Sequence, residues 1–298
     1  MKLLSPQNWD EYKLIDTGGF EKLEQFGKYI LRRPEPQAVW SKHLPVSEWE
    51  KAAHATFFLN KAVGKSNDQG ERGEWHLKSG MPQQWVISYR YKEMHLRFRL
   101  GLTSFKHVGL FPEQSENWNF IYDFLQSNDE PHSVLNLFAY TGGASLASRA
   151  CGADVVHLDS VKQVITWSAE NMKESNLDGI RWMLDDAFKF VKREVKRGRK
   201  YNGIILDPPA YGRGPEGEKW VLEQQIDELI KLCSELLLPR KSFFVLNLYS
   251  MGLSALVAEN IVNTYFDIST PVEKGEIFVP DLYNRKLPLG TFLRFARE

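Results

Sequence analysis

The rhythm of hydrophobic positions changes once along the chain, near residue 110. Before that point apolar residues come in short pieces, broken by Pro34, Pro36, Pro45 and Pro82 and by Gly64, Gly70, Gly73 and Gly80. That texture predicts short strands and loops rather than long helices. Asn67 to Gly73 is polar and glycine-bearing, and reads as a mobile loop. From Gln84 to Leu102 the pattern sharpens. Trp85, Ile87, Tyr89 and Tyr91 alternate with Val86, Ser88 and Arg90, and Leu96, Phe98 and Leu100 alternate with His95, Arg97 and Arg99. A hairpin turning near Lys92 and Glu93 follows, with one apolar and one mostly basic face.

After Phe111-Pro112-Glu113-Gln114 the period lengthens. Trp118, Ile121, Tyr122 and Leu125 fall at helical spacing, and Asn128-Asp129-Glu130-Pro131 closes that helix. Apolar strands and amphipathic helices then alternate, with strands at 133–138, 154–158, 180–183, 203–206 and 243–248 and helices from 143, 161, 187 and 220. Glu273 to Glu276 and Leu287 to Phe292 read as a final hairpin. This alternation predicts an α/β fold: a Rossmann-like, doubly wound, mostly parallel seven-stranded sheet with helices on both faces. The expected division is a β-rich substrate-recognition domain over residues 1–110 and the Rossmann-like domain over 111–298. In such sheets ligands sit at the carboxyl ends of the strands.

The first strand of that region, Ser133-Val134-Leu135-Asn136-Leu137, runs into Phe138-Ala139-Tyr140-Thr141-Gly142-Gly143 and resumes as a helix. Adjacent glycines let a ligand lie against bare backbone. They do not have dinucleotide-fingerprint spacing, since no third glycine follows to seat a pyrophosphate. The second strand ends in Asp159, 17 residues beyond Gly142, where a carboxylate can accept both hydroxyls of a ribose. A nucleoside without pyrophosphate points to S-adenosylmethionine (SAM). The plainer account is a strand-to-helix turn, with Asp159 and Ser160 capping the next helix.

The third strand ends in Asp185-Asp186-Ala187, where a carboxylate can receive the exocyclic amine of adenine. Asp186 is the better placed, because the small Ala187 leaves room for a planar ring. Helix capping is again the alternative. The fourth strand runs into Asp207-Pro208-Pro209-Ala210-Tyr211. The prolines end ladder pairing and bar their predecessors from helical geometry, so the chain leaves the sheet extended, with Asp207 and nearby carbonyls as acceptors facing the crevice. Such acceptors can hold a base's amine in line with a methyl sulfonium, and Tyr211 offers a stacking face.

Composition narrows the partners. The chain has 298 residues, with 38 basic and 38 acidic side chains, so no global field points at nucleic acid or membrane. The slight basic surplus lies before residue 115. The hairpin face with Arg90, Lys92, His95, Arg97 and Arg99 can track a phosphate backbone, although a solvated strand face is the plainer account. The run from Lys192 to Lys200 reads as a solvated helix end, on the side away from the crevice. The two cysteines, Cys151 and Cys233, have neither disulfide nor metal spacing, so no metal site is expected. Met1 to Asn8 lacks a signal-peptide core and no segment approaches membrane-spanning length, which predicts a cytoplasmic protein.

The ordered set Asn136-Leu137-Phe138-Ala139-Tyr140-Thr141-Gly142, Asp159, Asp185-Asp186-Ala187-Phe188 and Asp207-Pro208-Pro209, preceded by Phe111-Pro112-Glu113-Gln114, resembles class I SAM-dependent methyltransferases of the RlmI/RlmK type, which act on large-subunit ribosomal RNA. The resemblance covers roughly residues 105–298. It implies SAM at Phe138, Tyr140, Thr141, Gly142 and Gly143, its ribose at Asp159 and Ser160, its adenine near Asp185, Asp186 and Ala187, and Gln114 closing over its methionine end. It also implies substrate chemistry beside Asp207, Pro208 and Tyr211. The N-terminal RNA-binding module of that family is not evident in residues 1–100. Cytosine C5 methylation needs a thiolate at the end of the fourth or fifth strand. Here those ends read Pro208-Pro209-Ala210 and Asn247-Leu248-Tyr249-Ser250-Met251, so transfer to a base nitrogen of ribosomal or other structured RNA is expected, through the basic hairpin and the crevice near Asp207. A protein or small-molecule methyltransferase, or a SAM- and RNA-binding module without turnover, are the alternatives.

Overall fold

In the computed structural model, which describes residues 1–60, 72–127, 130–249, 253–268 and 270–298, the carboxyl-terminal two thirds form one twisted sheet with helices on both faces. Most of the expected Asn67–Gly73 loop, Asn128 and Asp129 of the helix closure, and Ser250 and Met251 at a strand end lie outside the described residues.

The N-terminal part begins with β1 (Lys2–Leu4) and continues as β2 (Tyr12–Gly18), β3 (Glu21–Phe26) and β4 (Tyr29–Pro34). Helix α1 (Val46–Ala52) is followed by β5 (Ala55–Leu59) and β6 (Gly73–Leu77). Strands β2 to β6 make a five-stranded sheet in chain order. The predicted hairpin is β7 (Gln84–Tyr91) and β8 (Met94–Gly101), with Lys92 at φ +50° in its turn. The middle of its apolar face is covered, Ile87, Tyr89, Leu96 and Phe98 being at most 1% exposed, while Trp85 and Tyr91 at its ends are part-buried.

The alternating region follows. Helix α2 (Ser115–Gln126) leads to β9 (Ser133–Leu137), α3 (Gly143–Ala150), β10 (Asp154–Asp159), α4 (Lys162–Glu174), β11 (Ile180–Leu184) and α5 (Ala187–Lys196). Then come β12 (Gly203–Leu206), the short pair β13 (Tyr211–Arg213) and β14 (Lys219–Val221), and α6 (Leu222–Leu236). Strand β15 (Ser242–Leu248), α7 (Ala255–Tyr265), β16 (Glu273–Pro280) and β17 (Lys286–Arg297) complete the chain. The sheet order is β1-β16-β17-β15-β12-β9-β10-β11, with β17 antiparallel to both neighbours and the other pairs parallel.

Two differences from the sequence reading have local causes. The sheet carries an eighth strand beyond the seven expected, because Lys2–Leu4 pairs with Gly275–Ile277 across the edge. The helix expected from Trp220 begins at Leu222. Trp220 instead closes the β13–β14 hairpin, buried against Phe138 at 5.0 Å and donating its Nε1 to the Pro209 carbonyl at 2.7 Å.

Burial on the two sheet faces explains why the parallel strands read as continuous apolar runs. On one face Val134, Val155 and Val245 pack with α2, α3 and the β7–β8 hairpin. On the other, Leu135, Val156 and Leu246 pack with α5, α6 and α7. Each such side chain, fully removed from water, stabilises the fold by about 1.5–3 kcal/mol before its ordering cost. The first cluster also takes in Leu14, Phe26 and Leu31 of the N-terminal sheet, so one continuous core runs across residue 110.

Candidate active site

In-register parallel pairing fixes where the site can form. Leu206, Leu137 and Leu158 are neighbours across the sheet, and Asp159 pairs with Leu184. The residues at or just past these strand ends, Asp207, Phe138, Asp159 and Asp185, therefore stand side by side along one edge of the sheet.

The loop after β9 is strained and firmly held. Phe138, Tyr140 and Gly142 all have left-handed φ, at +55°, +47° and +94°. Such a conformation costs roughly 1–2 kcal/mol for a residue with a Cβ. The surroundings over-determine it. Tyr140 N donates to Asp159 Oδ2 at 3.0 Å, its carbonyl accepts from Ser168 Oγ at 2.6 Å, and Thr141 donates to the Gly109 carbonyl at 2.7 Å and accepts from Asn171 Nδ2 at 2.9 Å. The adjacent glycines have different reasons. Gly142 meets the positive φ, whereas a Cβ on Gly143 would lie 2.3 Å from the Trp118 ring. Helix packing therefore requires Gly143 in its own right, in addition to any close approach of a ligand.

This loop forms one wall of a cleft enclosing about 540 Å³, open solvent at its mouth included. Of the sequence candidates, Gln114, Phe138, Tyr140, Thr141, Gly142, Gly143 and Asp207 line it. Asp159, Ser160, Asp185, Asp186 and Ala187 stand outside its lining, as do Pro208 and Tyr211. The acids beyond the cleft are engaged with backbone or with cations. Asp159 Oδ1 accepts from Val161 N at 2.9 Å while Oδ2 holds Tyr140, and burial pushes its carboxyl up against those hydrogen bonds. Asp186 caps α5, accepting from Lys189 N at 2.9 Å, and Asp185 accepts from Asp186 N and pairs with Arg193. The capping alternative thus describes what these carboxylates do in the protein alone. Each ionised oxygen has a second lone pair available to a ligand.

Asp207 differs from them. Its Oδ1 accepts from Asn247 Nδ2 at 2.8 Å, and burial raises its carboxyl to about 6 against that single hydrogen bond. Asn247 is 2% exposed and its Oδ1 has no partner among the described residues. The cleft wall therefore presents a carboxylate and an orphaned buried acceptor, and its lining includes no Lys, Arg or His. An unpaired buried acceptor costs about 1–3 kcal/mol until something donates to it. That balance suits a ligand bearing cationic and donor groups, such as SAM with its sulfonium and ammonium. It does not suit a pyrophosphate. The Pro209 carbonyl, by contrast, is already taken by Trp220, which shortens the expected row of acceptors.

Sequence reasoning missed Asn247 and Trp118 as cleft residues, and passed over Asn136 except as a motif member. A usable signal was present for the asparagines, since each is the lone amide in a buried apolar strand, Val-Leu-Asn-Leu and Val-Leu-Asn-Leu again. Asn136 Nδ2 donates to Ser145 Oγ at 2.9 Å, which lies 3.0 Å from His157 Nδ1. Neither cysteine lines the cleft: Cys151 follows α3 and Cys233 lies within α6, and burial raises the Cys151 thiol to about 11. Among the described residues no group of His, Cys, Asp and Glu is gathered as a metal site would need. Part of the basic hairpin face braces the neighbouring helices. Arg99 pairs with Glu170 at 2.6 Å, Arg97 with Glu174 at 3.6 Å and Lys92 with Asp123 at 2.5 Å, so α4 and α2 engage three of its five expected cations, while Arg90 and His95 remain exposed.

A parallel sheet with a held left-handed loop, an anionic cleft and Asp-Pro-Pro at the neighbouring strand end defines a SAM-binding methyltransferase fold. Residues 69–265 match the family described as S-adenosylmethionine-dependent methyltransferase, and the chain belongs to that family. It is similar to a SAM-dependent methyltransferase of Agrobacterium tumefaciens, with 34% identity, a TM-score of 0.90, and coverage of 100% of this chain and 94% of the other. It is 33% identical, over 72% of its length, to protein MJ1653 of Methanocaldococcus jannaschii, whose name proposes a ribosomal RNA large subunit methyltransferase. It is 28% identical, over 59% of its length, to the ribosomal RNA large subunit methyltransferase K/L of Shewanella frigidimarina. The chain spans 60% of the former relative and 25% of the latter.

Proposed function

We propose that this chain methylates a nitrogen of a base in ribosomal or other structured RNA, at the expense of SAM, in the cytoplasm. The observation that carries this reading is Asp207, half-buried in the wall of the donor cleft and bonded to Asn247, with neither cysteine lining that cleft. The names of the relatives support RNA as acceptor.

SAM supplies an electrophilic methyl group on a cationic sulfur. The protein's part is to bind, orient and exclude water. The held loop and the Asn247 acceptor seat the donor, while Asp159 and Asp186 offer their free lone pairs to its ribose and adenine. Asp207 accepts a hydrogen bond from the acceptor amine, keeps the nitrogen aimed at the methyl, and can take up its proton. Carboxylate-directed alignment needs no thiolate, which is why nitrogen rather than ring carbon is the favoured atom.

Two measurements test this. Asp207→Ala is expected to keep SAM affinity within about twofold, measured by calorimetry, and to lower transfer by about 10²-fold or more. Asp159→Ala is expected to weaken SAM. Equal loss of SAM binding in both variants would remove the role given to Asp207. Labelled SAM incubated with fractionated cell extract, with RNase and protease controls, identifies the acceptor. Label that survives RNase counts against RNA.

A further inference from the structure

The short hairpin β13–β14 continues directly from the Asp-Pro-Pro segment. Leu222 N donates to the Ala210 carbonyl at 3.0 Å and closes the hairpin at its base, while Gly214 N donates to the Glu218 carbonyl at 2.8 Å near its tip. Strand alternation gives it two different faces. One carries Trp220, packed on the Phe138 ring of the donor cleft, and Glu218, which pairs with Lys189 in the first turn of α5 at 2.5 Å. The other carries Tyr211 and Arg213 from β13 and Lys219 and Val221 from β14, and both of its cations are exposed. The hairpin therefore lies on the cleft wall and turns two cations to solvent.

Arg213 and Lys219 are directly opposite each other in the register. The ladder hydrogen bonds belong to the flanking pairs, Ala210 with Leu222 and Gly214 with Glu218, so this is a non-hydrogen-bonded pair. Its Cα atoms stand only about 4.5 Å apart. Like charges so placed destabilise a hairpin. Among the described residues neither cation has an ion-pair partner, because the carboxylates of the tip, Glu216 and Glu218, are drawn to Lys189. An anion between the two would remove the repulsion.

Position decides which anion. Arg213 follows Asp207 by six residues. That is at most about 21 Å of extended chain, so a ligand of the pair lies within a few nucleotides of a base held at Asp207. Tyr211 shares the face, and single strands are held by cations along the backbone with aromatic rings between them. The free cations of β7–β8 occupy the other edge of the sheet. Lys92 in that turn pairs with Asp123 in the last turn of α2, and the adjacent Phe124 packs at 5.1 Å on Phe243, which pairs with Gly203 at the amino-terminal start of β12. Arg90 and His95, opposite each other beside the turn, thus stand at the end away from Asp207.

We propose that the Tyr211 face of β13–β14 binds the acceptor RNA as a single strand, with Arg213 and Lys219 gripping the phosphodiester backbone next to the methylated nucleotide. This rests on the RNA reading above and moves the phosphate contacts from the β7–β8 hairpin to the carboxyl edge of the sheet.

The test measures binding rather than turnover. The full chain, saturated with S-adenosylhomocysteine, is titrated into a fluorescein-labelled single-stranded RNA of about twelve nucleotides and followed by anisotropy. Titrations are repeated between about 50 and 200 mM salt. The double variant Arg213→Gln, Lys219→Gln is expected to bind about tenfold more weakly or worse at the lower salt, and to flatten the slope of log affinity against log salt by about 0.7 for each cation removed. Its thermal midpoint should not fall, since a repulsive pair is removed. The double variant Arg90→Gln, His95→Gln is expected to keep RNA affinity within about twofold. An unchanged slope or a lowered midpoint in the first variant, an equal loss of affinity in the second, or no binding by wild type overturns the proposal. The labelled-SAM experiment separates it from the reading beneath it. Label in RNA with binding indifferent to Arg213 and Lys219 rejects the hairpin alone, whereas label in protein with binding that obeys them keeps the surface and rejects RNA as acceptor.

Discussion

His157 is fully buried beneath the donor loop, 3.7 Å from where a Cβ on Gly142 would sit, with Nδ1 3.0 Å from Ser145 Oγ. Burial pushes its imidazole down from 6.5 to about 3. A depressed group contributes stability that is present above its unfolded value and lost as pH falls below 6.5. At one proton and about 1.4 kcal/mol per pH unit, wild type loses about 2 kcal/mol through this group by about pH 5. Asp207 and Glu113, raised to about 6 and about 7, work in the opposite sense: their contribution is present at low pH and lost as pH rises through those values. The expected result is therefore read as a difference. Urea unfolding of wild type and His157→Gln should show the gap between them narrowing from neutral pH to about pH 5, and parallel curves would refute it. Transfer, in turn, should rise with pH through about 6 as Asp207 ionises, and Asn247→Ala should displace that limb upward by removing the hydrogen bond that favours the charged form. At this scale the sequence was most readable where chemistry and local geometry coincide. Asp207 announces itself through two prolines and the loop through two glycines. Trp118 reads as part of an ordinary helix, because only tertiary packing brings it to the cleft.

Among the elements, α2 and α3 meet where Trp118 lies over Gly143, and this contact sets how closely the helix N-terminus approaches the cleft. Gly143→Ala would place a Cβ 2.3 Å from Trp118 Cζ2, so the helices must part. Overpacking of this kind costs about 1–3 kcal/mol. The expected outcome is a lower thermal midpoint together with weaker SAM binding, both partly restored by Trp118→Phe, whose smaller ring yields the space. Restoration of neither would show that the glycine serves the ligand alone. The parallel strands and crossover helices were legible because burial on both faces makes the strands uniformly apolar. The β13–β14 hairpin was not. Its Gly212, Gly214 and Gly217 with charged neighbours read as a loop, and its one buried residue, Trp220, imitates a helix start. Strand β1 is three residues long and finds its partner more than 270 positions away, a pairing no local pattern encodes.

For the whole molecule the question is whether the two parts separate at residue 110. The contacts predict that they do not. Ile87, Tyr89, Leu96 and Phe98 from the hairpin pack in one cluster with Trp118, Ile121 and Leu125, and all of these are at most 3% exposed. Trp9 donates to the Pro112 carbonyl at 2.9 Å, and Arg285 in the last hairpin's turn pairs with buried Asp16, which also accepts from Trp49 Nε1 at 2.7 Å. A fragment starting at residue 111 would expose half of that cluster to water and leave β16 without its edge partner. At about 25 cal/mol per Å² of apolar surface, and 1.5–3 kcal/mol for each large side chain uncovered, the loss exceeds the whole stability of a typical domain, about 5–15 kcal/mol. The 111–298 fragment is therefore expected to lack a cooperative transition and to bind no SAM. The full chain should unfold with coincident tryptophan-fluorescence and far-ultraviolet dichroism curves. Arg285→Ala, which leaves Asp16 charged and buried without its cation, should move both curves together to lower denaturant. A shift confined to one probe would mean that the N-terminal sheet unfolds independently of the donor cleft.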